Sequence, residues 1–161
     1  MRRKSLNKKK ELGLLTSTEV SVLVTPEMGN FYGTMHGGEL LKRLDNVAYI
    51  CGVRYCKNQV VTLAVDNVLF KEPVYIGELL TIQACVNYTG KTSMEIGIKV
   101  MAENLKTLSM RHTTSCYFTM VAVDDKGGTM LVPELLVNGK VAQRRHENAI
   151  LRNKNRKKLS H

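Results

Sequence analysis

Asp45 is a carboxylate whose neighbours at helical spacing are Leu41, Ala48 and Gly52, since residues three and four apart share one face of a helix. A charge at the edge of an apolar stripe is costly unless it meets a partner or a purpose. One such purpose is to take a proton from a reacting water; the plain structural use is an ion pair across an interface. Asn30 lies earlier in the chain and offers two donors and an acceptor, enough to orient a water or hold a carbonyl oxygen. Its competing use, beside Gly29, is to close a turn. Between the two, Gly37 and Gly38 open the helix. Backbone N–H groups at a helix start carry partial positive charge and suit an oxygen that gains charge during a reaction. Helix entry and close packing are the ordinary roles of such glycines, and both uses are compatible. His36 stands just before them, as a packing residue or as a proton carrier. No Ser occupies a Gly-x-Ser-x-Gly elbow and no Cys stands in a nucleophile motif, so an acyl-enzyme on either is not expected.

These residues need a loop and a helix to hold them, and the sequence supplies both. Alternation of Val20, Val22 and Val24 predicts a strand over 19–25. Residues 26–34 read as a loop, and an apolar repeat through Leu40, Leu41, Leu44, Val47, Ala48, Cys51 and Tyr55 predicts a helix over about 38–55. Strands follow over 60–70, 79–88, 92–100 and 112–124, with Leu80, Ile82, Ala84, Val86 and Tyr88 on one face and Met94, Ile96, Ile98 and Val100 on another. The turn at Thr89-Gly90-Lys91 separates two of them. A second helix is expected over 138–152, and 153–161 reads as a basic tail. One strand, a long helix, then four strands in succession specify an α+β fold, a helix against an antiparallel sheet. A sheet of that size leaves an apolar flank of the helix for a second subunit.

Composition narrows the classes. The 161 residues fit one domain with a real core, and 43% apolar content is that of a globular chain. No apolar run is long enough to span a bilayer, and no apolar segment follows the charged start, so no secretory signal is expected. Cys51, Cys56, Cys85 and Cys116 form no Cys-x-x-Cys pair, which predicts reduced thiols in the cytoplasm and no metal site. The net charge of +10 sits at the ends: residues 1–10 hold six Lys or Arg, residues 140–161 hold eight, and the body between is slightly acidic. Such ends attract phosphates or act as solvated tails. A nucleic-acid binder is disfavoured by the absence of Trp, the scarcity of aromatics and the lack of a base-reading motif.

The segment Asn30-x-x-Gly33-x-x-His36-Gly37-Gly38-x-Leu40-Leu41-x-x-x-Asp45 resembles the signature of the hotdog-fold acyl-CoA thioesterases. Val65-Asp66-Asn67-Val68-Leu69-Phe70, Pro73-Val74-x-x-Gly77-Glu78 and Gly90-Lys91-Thr92-Ser93-Met94-Glu95 continue the resemblance over about 18–135. It implies the hotdog fold, a long central helix wrapped by an antiparallel sheet. It implies a homo-oligomer, a dimer whose sheets join edge to edge or a trimer of such dimers, and a function in fatty acid metabolism. The reaction implied is hydrolysis of acyl-CoA to a carboxylic acid and coenzyme A. Asn30 and Asp45 then match a catalytic pair from opposite subunits, with Asp45 as base or as direct nucleophile. Gly37 and Gly38 match the thioester carbonyl site, with His36 beside it, and Gly90, Lys91, Thr92 and Ser93 match the stretch along coenzyme A. Arg144 and Arg145, outside the resemblance, are candidates for the coenzyme's phosphates, as is Lys140. No metal or redox cofactor is expected, since coenzyme A is part of substrate and product. The competing reading is a hotdog protein that binds acyl-CoA without turnover. The chain divides into a basic segment (1–17), the thioesterase domain (18–135) and a C-terminal helix with tail (136–161).

Overall fold

Five strands and two helices carry the chain in the computed structural model, which describes residues 15–159. Strand β1 (Ser17–Leu23) begins two residues before the expected start, because Ser17 already pairs with Cys85. A 3-10 turn at Pro26–Met28 ends the extended segment, since Pro offers no N–H to a ladder. Residues 1–14 of the basic N-terminal segment lie outside the described residues.

Helix α1 (Gly37–Cys56) starts where the His36 side chain caps it and ends at Lys57, whose left-handed backbone (φ 60°) lets its N–H donate to Val53 O at 2.9 Å. Leu40, Leu44, Val47, Ala48, Cys51 and Tyr55 are buried along one stripe, about 23 Å long at 1.5 Å per residue. Strands β2 (Gln59–Phe70), β3 (Leu79–Thr89), β4 (Ser93–Asn104) and β5 (Ser109–Val123) follow, all antiparallel, in the order β1-β3-β4-β5-β2. Leu80, Ile82, Ile96, Val100, Phe118 and Met120 line the inner face and form one core with the helix stripe. This is the hotdog arrangement that the resemblance implies. Burial pushes the thiols of Cys51 and Cys116 up to about 12, and all four cysteines are free.

Two differences from the sequence pattern have local causes. A bulge between Val86 and Tyr88 sets Tyr88 opposite Glu95, so Tyr88 leaves the inner row and its ring meets His146 at 5.7 Å. The second helix, α2 (Lys140–Leu159), runs through the segment that reads as a tail. Its polar side chains lie across the outer face of the sheet. Arg152 forks onto buried Glu95 (2.7 and 3.1 Å) over the Tyr117 ring (3.5 Å), and Arg156 bonds Thr119 and Asp66. No helix among the described residues is long and apolar enough to cross a membrane.

Strand β2 is the free edge beyond β5. Val61, Leu63, Val65, Leu69 and Phe70 are exposed along it. An unpaired apolar edge of this length invites a second strand.

Candidate functional site

Asp45 sits two turns into α1 and accepts a 2.6 Å hydrogen bond at Oδ1 from Thr62 Oγ of β2. Thr62 is held in turn by the ladder, opposite Met120, whose Sδ lies 3.4 Å from its hydroxyl. The carboxylate therefore has a fixed orientation at the unpaired β2 edge, with its second oxygen left over. Sequence reading missed Thr62: a Thr in the run Val60-Val61-Thr62-Leu63 is an ordinary strand residue, and only the cross-element register reveals it.

Asn30 follows the 3-10 turn and shapes its own loop. Its Oδ1 accepts from the N–H groups of Tyr32 (2.9 Å) and Thr34 (3.2 Å), and its Nδ2 donates to Thr34 Oγ (2.8 Å). The turn-closing use of this Asn is thus realised. Phe31 and Tyr32 project from the loop tip, fully exposed. No hydrogen bond joins Asn30 to Asp45 within the chain; each is bound to its own neighbours.

At the start of α1 the His36 Nδ1 accepts from Gly38 N–H at 3.0 Å, which places the proton of the neutral ring on Nε2. The Gly38 amide is therefore spent on the cap. The Gly37 amide has no hydrogen-bond partner among the described residues, so of the pair it is the one available to a ligand oxygen. The Phe70 ring, at the far end of β2, lies within van der Waals reach of Gly37: a Cβ there would sit 3.7 Å from it.

A second loop braces the first. Val74 O accepts from Met35 N–H (2.7 Å), Gly33 O accepts from Ile76 N–H (3.3 Å), and Thr34 bridges Tyr75. Residues 73–78 are clamped to β5 by a two-pronged ion pair, Arg111 Nη1 to Glu78 Oε1 (2.6 Å) and Nη2 to Oε2 (2.7 Å). Arg111 also donates to Pro73 O, and Tyr75 N–H donates to Glu78 Oε2. The Arg111 guanidinium, helped by that backbone bond, holds the buried Glu78 carboxyl below the usual carboxylate range, and Glu78 holds Arg111 correspondingly high. Neither residue stands out from the sequence as part of a site.

Gly90, Lys91, Thr92 and Ser93 form the β3–β4 turn, closed by Gly90 N–H to Ser93 O at 2.8 Å. Lys91 O and Thr92 O accept from Val132 and Ala122. Ser93 pairs with Val121 in the row next to Thr62 and Met120, so the turn lies about 10 Å across the sheet from Thr62 at ordinary strand spacing. Arg144 and Arg145 are elsewhere: they line a cleft on the outer face, and no hydrogen bond joins them to the turn.

Residues 32–109 match the profile of the Thioesterase superfamily. Protein VdlD of Helicobacter pylori is 50% identical over 137 residues, spanning 85% of this chain and 78% of that one. A hexameric acyl-CoA thioesterase solved without ligand is 35% identical, with a TM-score of 0.86 over 89% of this chain and 92% of its own. The acyl-CoA hydrolase of Staphylococcus aureus, solved with butyryl coenzyme A, coenzyme A and coenzyme A disulfide, is 29% identical with a TM-score of 0.83, covering 89% and 88%. Variants of that hydrolase with an asparagine, an aspartate or a threonine replaced by alanine have also been solved.

Proposed function

The chain belongs to the hotdog-fold acyl-CoA thioesterase family within the Thioesterase superfamily, and from that membership we propose that it hydrolyses acyl-CoA to a carboxylic acid and coenzyme A. The observation that carries the reading is the Thr62-anchored carboxylate of Asp45 at an open apolar strand edge. The three residue types replaced by alanine in the Staphylococcus aureus hydrolase follow one another there at intervals of 15 and 17 residues, the intervals that separate Asn30, Asp45 and Thr62 here.

We place the reaction between two subunits. Phe70 contacts Gly37, whereas Thr62 contacts Asp45, and the two contacts lie at opposite ends of β2. An antiparallel pairing of two β2 edges centred near Asp66 sets Phe70 of one chain against Thr62 of the other. It brings the partner subunit's Gly37 and Asn30 toward this chain's Asp45. Pairing also covers Leu63 and Val65, the routine reason for such an edge to dimerise. A trimer of such dimers is the assembly we assign, in a reducing cytoplasm consistent with four free thiols.

In this arrangement Asp45 takes a proton from water as its oxygen attacks the thioester carbon. The carbonyl oxygen gains charge at the Gly37 amide and the helix start, Asn30 orients the water or that oxygen, and the bond to sulfur breaks to release the coenzyme A thiolate. Direct attack by Asp45, giving an anhydride that water then cleaves, uses the same atoms. Gly90, Lys91, Thr92 and Ser93 border the path of the pantetheine arm. The reading assigns no cofactor beyond the coenzyme moiety of the substrate.

Steady-state hydrolysis of acyl-CoAs from acetyl to palmitoyl, followed with a thiol-trapping dye, tests it. Turnover on part of the series that falls about 100-fold or more in Asp45→Asn supports the proposal. Coenzyme A bound without turnover on any chain length would leave a binding protein instead.

A further inference from the structure

Helix α2 inverts the usual pattern of a surface helix. A helix on a sheet ordinarily buries an apolar stripe and shows its charges to water. Here Ala149 is the only buried residue, and the side chains that meet the sheet are polar. His146 bonds Asn87 O at 3.1 Å, Arg152 forks onto Glu95, and Arg156 meets Asp66 and Thr119. The outward stripe instead carries Leu151, 58% exposed, with exposed Lys154 and Lys158 three and seven residues on, a spacing that sets all three on one face. Leu159, 88% exposed, stands beside Lys158.

The charge on that face is one-signed. Residues 148–161 hold five Lys or Arg and no Asp or Glu. Arg152 and Arg156 are spent on the sheet. Lys154, Lys157 and Lys158 are exposed and make no ion pair among the described residues. Glu147 is the one acid of the helix, and its carboxylate already accepts from Gln143 at 3.1 Å. The described chain starts at Leu15, and Thr16 lines a hollow with Ala142 and Arg145 of α2. The six Lys or Arg of residues 1–10 therefore join the chain on the side of the sheet that α2 covers.

Lysines without counter-ions call for an anionic surface, and exposed leucines among them call for something apolar just behind its charges. A nucleic acid answers the first need only, and α2 carries no Phe, Tyr or Trp on which a base could stack. A second copy of the same face would set cation against cation. We propose that the outward face of α2 docks the protein on an anionic lipid bilayer, lying on it without crossing it. Leu151 and Leu159 enter the headgroup layer, while Lys154, Lys157 and Lys158 meet lipid phosphates and carboxylates. An antiparallel β2 pairing has its twofold axis perpendicular to the sheet, so the dimer proposed above presents two such helices on one side. That doubling rests on the dimer reading; the face itself does not.

Cosedimentation of the intact protein with large vesicles reads the docking without turnover. Vesicles of equimolar phosphatidylserine and phosphatidylcholine should bind it at low salt and release it as salt shortens the screening length. Phosphatidylcholine alone should not bind it. Lys154→Gln with Lys158→Gln should weaken binding about 25-fold, at about fivefold for each lysine, and Leu151→Gln about fivefold. Lys106→Gln, on the exposed β4–β5 turn, should change nothing. Polyuridylate measured alongside separates lipid from nucleic acid. Any of these results would overturn the proposal: no binding to the mixed vesicles, equal binding to phosphatidylcholine alone, binding indifferent to the lysine pair or to Leu151→Gln, tighter binding of polyuridylate than of the mixed vesicles, or a change of oligomeric state in Leu151→Gln that marks the face as a subunit contact.

Discussion

Glu78 and Arg111 form a pair whose two halves differ in burial, and that difference sets an asymmetric prediction. Glu78 is 4% exposed, whereas the Arg111 side chain keeps 28% of its surface. Glu78→Gln preserves shape and leaves a cation that water can still reach, so it should cost about 2 kcal/mol, below the range for a fully buried pair. For a chain of this size that is a fall of about 4–8 °C in Tm. Arg111→Gln strands the buried carboxylate and should cost more, about 3–5 kcal/mol. Because residues 73–78 hold the Asn30 loop through Val74 O and Gly33 O, Glu78→Gln should also lower kcat about tenfold, with KM less affected, since small misplacements of a catalytic group are expensive. The folded pKa of Glu78 lies below its unfolded value. Its contribution is therefore fully present above the unfolded value of about 4.3 and is lost as pH falls through the lower folded value. The Tm gap between the parent and Glu78→Gln should stay constant from neutral pH down to about 5 and close below about 4. Scanning calorimetry across pH with a thiol-release assay measures both effects. Equal losses in the two variants, or a gap that persists at low pH, would refute the reasoning.

Two further substitutions probe the edge and the anchor. Thr62→Ala removes the 2.6 Å bond to Asp45 and should lower kcat/KM about tenfold with assembly intact; unchanged kinetics would make that bond incidental. Leu63→Glu with Val65→Glu places charges on the exposed β2 edge and should dissociate the assembly and abolish turnover together, which light scattering and the same assay would record; an intact oligomer would move the interface elsewhere.

The order of elements was legible because each carries its own period: the α1 stripe repeats as a helix, and Leu80 to Val86 and Met94 to Val100 alternate as strands. Tyr88 was not, because a bulge is a property of two strands together. The end of α2 was hidden for a related reason. Its cations look like a tail until Glu95, Asp66 and Thr119 are brought beneath Arg152 and Arg156. Within the candidate site, Asp45 and the glycine pair announced themselves by type and spacing, and Asn30 through the motif that resembles the family's signature. Thr62, Glu78 and Arg111 did not, since a Thr in a strand or an Arg and Glu 33 residues apart acquire meaning only from contact. The glycine pair also divided unexpectedly, because the His36 cap occupies Gly38 and leaves Gly37.

The claim that a site is shared between subunits, with Asn30 from one and Asp45 from the other, has a direct test by complementation. Asn30→Ala and Asp45→Asn proteins, each inactive alone, are unfolded together, refolded as a mixture and assayed on the best acyl-CoA. Random pairing gives half mixed dimers, each with one intact site and one doubly altered, so about one quarter of the parent turnover should return. A mixture as inactive as its two components would contradict the shared site, and parent-like turnover by Asp45→Asn alone would contradict the mechanism.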